Sequence, residues 1–349
     1  KGNGKPDGNG GEQPMEIYAA DQHFVYNGQP QGTFGANLSV STTSPLASAI
    51  ELLPGHRLAN VTLTGTQQTI PNTYGDAVIP TGVRIVNAAN QDVTHNFLIT
   101  SDSFYAGDLI VPRKGNGQPD GQGGELPMEI YAEDQTYPYD GTPKCTFGAN
   151  LQNPGHTLAT AIQLVPGHSL SLITLTGTQR TSSGTYANAI TPSSARITDG
   201  SGNDVTANYL INTTTSYYPG TLRINPRGPE TPIVIRALDQ HYVYNEAAQG
   251  VVGQMTLTSG QRSPYVQAEG LLAGHYLAQV TIGGTPQTDP NTYTGMLVPS
   301  GAVIRDASGA DVTAEYTFTA SSYVAADLYI HKKGNGKPDG NGGEQPMEV

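Results

Sequence analysis

The sequence predicts an all-β protein: a tandem array of three β-sandwich-like (immunoglobulin-like) modules in an elongated rod. Three observations carry this. Short β-branched runs alternate with turn residues along the whole chain. Glycine (43) and proline (25) are abundant, and charged residues make up only 13% of the 349 residues, about half the usual share. The same motifs recur at intervals of just over a hundred residues.

Within the first repeat the elements follow in order. MEIYAADQHFVYNG alternates through Ile17, Tyr18, Phe24, Val25 and Tyr26 and ends on the Asn27-Gly28 turn signal, so it reads as strand then turn. SPLASAIELL has the length for one helical turn, but it runs into Pro54-Gly55 like its counterpart LATAIQLV in the second repeat, and strand is expected for both. LANVTLTGTQ, AVIPTGVRIV, NFLITS and DLIVP are further short apolar runs, bounded by Gly65, Pro71-Asn72, Pro80-Thr81-Gly82 and Gly107. Six to eight such strands per hundred residues suit a sandwich. Helix is expected to be nearly absent.

The repeat is explicit. Residues 1–22 and 114–135 differ at four positions, and a diverged third copy begins near Gly228. Pro-Gly-His (54–56, 166–168) becomes Ala-Gly-His at 273–275, and Asp-Val-Thr recurs at 92–94, 204–206 and 311–313. The boundaries are 1–113 with a Gly-rich linker at 1–14, 114–227 with a linker at 114–127, 228–332, and 333–349 as the start of a further repeat. Residues 333–349 match 1–17 except for Val349 in place of Ile17, which gives a super-repeat of 332 residues and reads as one period of a longer polymer. The Gly-rich segments are expected to flex, and the Pro-containing junction INPRGPETPIVI to be stiffer.

The net charge of −12 and the absence of clustered Lys or Arg exclude a nucleic-acid binder, which must displace counterions from phosphates. No apolar run approaches the ~20 residues of a membrane span. The single Cys145 cannot form an internal disulfide. G-x-S-x-G, H-E-x-x-H, P-loop and Rossmann signatures are missing, and no acid pair stands out, so no enzyme and no catalytic residue is expected. The lysines lie almost entirely in the linkers, which argues against Lys–Asn isopeptide cross-links.

Tyr139-Asp140-Gly141, Pro-Gly-His, Leu-Thr-Gly-Thr-Gln, Gly-Thr-Tyr (184–186), the run from Gly202 to Tyr209 and Gly-Thr-Leu-Arg-Ile (220–224) together resemble the tandem β-rich, glycine-rich repeat modules of bacterial cell-wall proteins and adhesins. The third repeat departs from this pattern, with Asn245-Glu246 where Asp140-Gly141 stands. The resemblance implies an extracellular, cell-surface location and a stalk, fibre or matrix filament, and it brings no catalytic residues.

Candidate sites are few. Alternating Asn/Asp and Gly in NGKPDGNGGE suggests a calcium loop, with oxygens from Asn3, Asp7, Asn9 and Glu12, and from Asn116, Asp120, Gln122 and Glu125. Carboxylates are too few for a tight site, so no cofactor is expected and a turn-rich linker is preferred. The PMEI-type strands, through Met15, Ile17, Met128, Ile130, Met347 and Val349, are candidates for strand addition to another copy of the repeat. Tyr217 and Tyr218 look unique to the second repeat and are the candidate ligand contact if the chain is instead an adhesin for glycan or host protein. Asp92, Asp204 and Asp311 are expected to accept backbone N–H bonds in turns. Tyr209 and Tyr316 are expected to anchor tyrosine corners, which Phe97 cannot do.

Overall fold

The computed structural model describes every residue except 42–44, 229–231 and 348–349. The chain is all-β. Among the described residues eight strands recur three times. The first repeat has β1 (Ile17–Ala19), β2 (Gln22–His23), β3 (Gly35–Ser39), β4 (Ala47–Ala49), β5 (Arg57–Thr64), β6 (Asn72–Val86), β7 (Phe104–Tyr105) and β8 (Gly107–Val111). The second has β9 (Ile130–Ala132), β10 (Gln135–Pro138), β11 (Gly148–Gln152), β12 (Ala159–Ala161), β13 (Ser169–Gly177), β14 (Gly184–Thr198), β15 (Tyr217–Tyr218) and β16 (Gly220–Asn225). The third has β17 (Val234–Ala237), β18 (Gln240–Val243), β19 (Gly253–Thr256), β20 (Val266–Glu269), β21 (Tyr276–Gly283), β22 (Asn291–Arg305), β23 (Tyr323–Val324) and β24 (Ala326–His331). The LASAI stretch supplies strand β4, as expected, and pairs antiparallel with β1. Among the described residues, the helical turns are three-residue 3₁₀ pieces, and no helix is long and apolar enough to cross a membrane.

The strands form six sheets in three pairs. In the first repeat a three-stranded sheet, β4-β1-β7, accompanies a five-stranded sheet, β2-β8-β6-β5-β3. The same two orders recur as β12-β9-β15 with β10-β16-β14-β13-β11, and as β20-β17-β23 with β18-β24-β22-β21-β19. The chain changes sheet between β1 and β2, and again between β7 and β8, so the parallel pair β1–β7 continues as the parallel pair β2–β8. At this shared bend the Asp21 carboxylate accepts the Asp108 N–H at 2.8 Å, and Asp239 accepts that of Asp327 at 2.9 Å. A side chain at Gly107 would press within 2.8 Å of the Ala19 carbonyl oxygen.

The long strands bend as well. Asp76, Asn188 and Gly295 occupy one repeat position with φ of +54°, +55° and +63°. These residue types tolerate the left-handed region. In β6 the pairing to β8 shifts register across this point, between Tyr74 and Val78, as a bulge does.

By contacts the chain divides into two compact units, and these cut across the second repeat. The first comprises Lys1–Glu133, Phe147–Thr176 and Ile190–Gly220. Its core includes Ile17, Val61, Leu63, Val78, Ile85 and Leu109, all fully buried. Strand β8 shows why: burial alternates residue by residue through Gly107, Leu109 and Val111, the period-two pattern of a strand with one face on the core. The second unit comprises Asp134–Thr146, Gly177–Ala189 and Thr221–Val349. Its core gathers Ile235, Val280, Ile282, Leu297, Ile304 and Leu328, again from alternate positions.

The Asp-Val-Thr turns form as expected. Asp92, Asp204 and Asp311 each accept the N–H of the threonine two residues on, at 2.9–3.0 Å. That threonine's hydroxyl in turn takes the N–H of Ile85, Ile197 or Ile304.

Candidate functional site

The Gly-rich segments are ordered loops, which corrects the expectation of flexibility. Composition alone favours a random coil, but three side chains in each loop consume its backbone donors. In the second copy Glu125 accepts the Gly115 N–H at 2.9 Å and the Gly117 N–H at 3.1 Å, and pairs with Lys114 at 2.8 Å. Glu12 and Glu344 clamp their own loops in the same way. Asp7, Asp120 and Asp339 each accept two N–H groups across the loop tip, at 2.7 and 3.0 Å. Asn3 and Asn116 are buried and accept the N–H two residues on. Backbone bonds between Asn116 and Leu126, and between Leu126 and Gln118, zip the base. The candidate calcium oxygens of Asp7, Glu12, Asp120 and Glu125 are thus directed at amides of their own loops, while Asn9 is exposed at the tip. Bonds from Asn9 and Gly11 N–H lower the Asp7 pKa, and bonds headed by the Gly2 N–H lower that of Glu12.

The candidate strand-addition residues are also engaged. Met15, Ile17, Met128 and Ile130 are fully buried. Ile17 pairs with Ala49 on one side and Phe104 on the other, and Ile130 with Ala161 and Tyr217. In the first two repeats the PMEI strand is therefore the central strand of its own sheet, with both edges filled, and is not free to add elsewhere. Met347 is exposed, and Val349 lies outside the described residues.

Tyr217 and Tyr218 do not form one cluster, because neighbouring residues of a strand face opposite ways. The Tyr217 hydroxyl accepts the Ala195 N–H at 3.0 Å. Tyr218 stacks on Tyr131 with centroids 4.6 Å apart, and Tyr18 stacks on Tyr105 at the same distance. The exposed tyrosine pair therefore belongs to two repeats, which corrects its assignment to one. Beside it, Glu16 accepts bonds from Lys5, Tyr18 and Asn3, and the Lys5 bond leads in holding its carboxyl at about 2. Glu129 does the same for Tyr131 and Asn116, and its bond is the main cause that pushes Tyr131 up to about 12. In the third repeat Arg236 and Val324 occupy the paired positions.

The feature with most internal consistency joins one repeat to the next. Within the first unit, Tyr26 of the first repeat is buried against His168 and Tyr209 of the second, with centroids 6.2 and 6.1 Å away. Within the second unit, Tyr139 is buried with its ring 6.4 Å from His275, which in turn meets Tyr316. Each knob precedes a tight turn: Gly28 (φ +77°) and Gly141 (φ +79°). A Cβ at Gly28 would lie 3.1 Å from Val165, and one at Gly141 would lie 3.8 Å from Leu272.

Each socket is held by one hydroxyl. Tyr209 Oη accepts the Val165 N–H at 3.1 Å and contacts His168 Nδ1 at 2.8 Å. Tyr316 does likewise with Leu272 N–H at 3.0 Å and His275 Nδ1 at 2.8 Å. In both sockets the tyrosine hydroxyl and the histidine Nδ1 share one hydrogen bond, with the donor set by the imidazole tautomer. Burial pushes Tyr209 up to about 12. These tyrosines act as anchors, but they reach backbone 44 residues earlier and not the few residues of the expected corner. In the first repeat Phe97 has no hydroxyl, and His56 Nδ1 instead meets the Pro54 carbonyl at 3.2 Å. Tyr26 and Tyr139 stand at repeated strand positions that suit packing, but their burial in the following repeat was not read from the sequence. The available signal was Tyr26, Tyr139 and Tyr244, each at one place in its repeat, before Asn-Gly, Asp-Gly and Asn-Glu.

A Gly-rich loop also closes the first of these junctions. The second loop pairs with its own repeat through Lys114 and residues Asn208 and Leu210, while Gly123 (φ +93°) lies against His23 of the preceding repeat. The last loop lies on His241 and His331 through Gly342 and Gly343. Among the described residues no three His, Cys, Asp or Glu side chains converge as a metal group. No protein-family model matches the chain, and no curated protein sequence matches it either.

Proposed function

We propose that the chain is a structural segment of a long, repetitive extracellular surface protein of bacterial type, forming a stalk, fibre or matrix filament. The observation that carries this is the recurrent junction: twice, a tyrosine on a tight turn is buried in the histidine–tyrosine socket of the following repeat, and at the first of these an ordered Gly-rich loop touches both repeats. Side chains that are otherwise free to build a cleft are used to join repeats. The role is non-enzymatic, and the partner is another copy of the repeat. Immunogold labelling of intact source cells tests the reading. Label on extensions outside the cell boundary is expected; label confined to the cell interior would refute it.

A second reading has its own observation. The Tyr18–Tyr105 and Tyr131–Tyr218 pairs are exposed at 36–42% beside a bound carboxylate, and aromatic faces of this kind suit glycan or protein contact. A glycan array probed with the full chain and with Tyr18→Ala and Tyr131→Ala variants separates the two. Binding lost in these variants favours an adhesin.

A further inference from the structure

The two internal junctions are a template, and the outer faces of the first and third repeats carry its unused halves. The knob half is Tyr244, which stands where Tyr26 and Tyr139 stand. Its N–H bonds to the His331 carbonyl, as the Tyr26 N–H bonds to that of Pro112 and the Tyr139 N–H to that of Asn225. Its turn is the same: Asn245 accepts the Ala247 N–H at 3.0 Å, as Asn27 accepts that of Gln29, and Glu246 holds φ +66° where glycine stands in the other two. Yet Tyr244 is only half-buried, whereas Tyr26 and Tyr139 are 5% and 7% exposed.

The socket half is Leu53, His56 and Phe97. The His56 and Phe97 rings cross edge-on at 5.9 Å, as His168–Tyr209 and His275–Tyr316 do. Leu53 occupies the position of Val165 and Leu272. It is 42% exposed, against 6% for Val165 under the Tyr26 turn.

The loops complete the match. Residues 333–347 repeat 1–15 exactly in sequence. Loop 1–12 is bonded to Asn96 and Leu98 of the first repeat, and loop 333–345 lies on His241 and His331 of the third. One loop at an internal junction makes both kinds of contact at once, so one loop suffices at a seam.

We infer that a second copy of this chain, following in tandem through a single shared Gly-rich loop, docks its Leu53–His56–Phe97 socket on the Tyr244 turn of the copy before it. The inference rests on the structural-repeat reading and names its repeating contact. Glu246 is accommodated because the leucine-type socket leaves 3.8 Å for a Cβ at this position, as between Gly141 and Leu272. It also brings a carboxylate toward His56, since a Cβ at Gly28 lies 3.9 Å from His168 Nε2. The contact is heterologous and leaves a knob and a socket open at the two ends, so it propagates.

The test uses a two-copy chain, 1–332 followed by 1–349, with Glu246→Cys in the first copy and Leu53→Cys in the second. At the internal junctions a Cβ at the matching glycine comes 3.1 Å from Val165 Cγ1 and 3.8 Å from Leu272 Cδ1, close enough for a cysteine pair at the docked seam to reach disulfide geometry with small side-chain and backbone adjustment. Gly28→Cys with Val165→Cys in the single chain is the internal benchmark. On mild oxidation the seam disulfide is expected to close at least about tenfold faster than the reversed pair, with Leu53→Cys in the first copy and Glu246→Cys in the second. Tyr244→Ala in the first copy is expected to remove that excess. Equal rates for the two pairs, or an excess that survives Tyr244→Ala, overturns the inference. Neither result touches the surface-labelling test, so the two readings fail separately.

Discussion

Replacing Tyr209 by phenylalanine removes one oxygen and leaves the ring in place. Two groups lose their partner. His168 is half-exposed and can turn to water. The Val165 N–H cannot, because Val165 is 6% exposed and covered by the Tyr26 turn. An orphaned buried donor costs about 1–3 kcal/mol. Phenylalanine recovers part of this because no hydroxyl is buried, so a net loss of about 1–2 kcal/mol is expected. Each 1.4 kcal/mol is a factor of ten in a local opening equilibrium, so exchange of the Val165 amide should rise by roughly ten-fold. Hydrogen exchange followed by mass spectrometry over residues 164–168 reads this directly and does not require whole-chain two-state unfolding. The first repeat supplies a control. There phenylalanine is native and Leu53 is 42% exposed, so Phe97→Tyr should change little. Unchanged exchange at Val165 in Tyr209→Phe would refute the hydroxyl as the socket's anchor.

Cys145→Gly should stabilise the protein. Cys145 holds φ +139° where the other repeats have Gly32 (+132°) and Gly250 (+124°); relief of about 1–3 kcal/mol exceeds glycine's entropic cost of about 0.5–1, and a thermal melt in which Cys145→Gly falls below Cys145→Ala would contradict this. Glu125→Ala should free the Gly115 and Gly117 amides and open the second loop, read as tryptic cleavage after Lys114 rising several-fold. At low pH, Glu16 and Asp140 lose stabilising interactions. Their folded pKa values, about 2 through Lys5 and Lys144 respectively, lie below the ordinary ~4, so their contribution is complete above pH ~4 and is lost as pH falls toward 2. At high pH the sign reverses for Tyr209: its pKa rises from about 10 to about 12 on folding, so stability is intact below pH 10 and falls between 10 and 12. Urea midpoints across pH should show both limbs, and Tyr209→Phe should flatten the alkaline one.

The β-class, the repeats and the Asp-Val-Thr turns were legible because each rests on local rules: period-two burial, turn residues, and a side chain that bonds backbone two residues away. The anchoring of Tyr209 and Tyr316 was legible from their position, although their partner 44 residues away was not. The Gly-rich loops were misread because glycine content predicts coil, whereas Glu125 closes its loop from ten residues away. The PMEI strand looked free because its partners β4 and β7 are remote in sequence. Tyr217-Tyr218 looked singular because the eye compared adjacent residues, and the structure pairs Tyr218 with Tyr131 across strands. Cys145 aligned with Gly32 in sequence, but the backbone angle that makes this matter is visible only in three dimensions.

The bend shared by β1–β2 and β7–β8 has a mechanical consequence. In each repeat the strands nearest the two chain ends lie side by side and parallel. A force pulling those ends apart must slide one strand lengthwise along the other, straining all the bonds between them together. An antiparallel hairpin peels open one bond after another under the same load. The corner at Asp21 and Gly107 adds a latch, since a strand with a kink does not slip past a neighbour that follows the same kink.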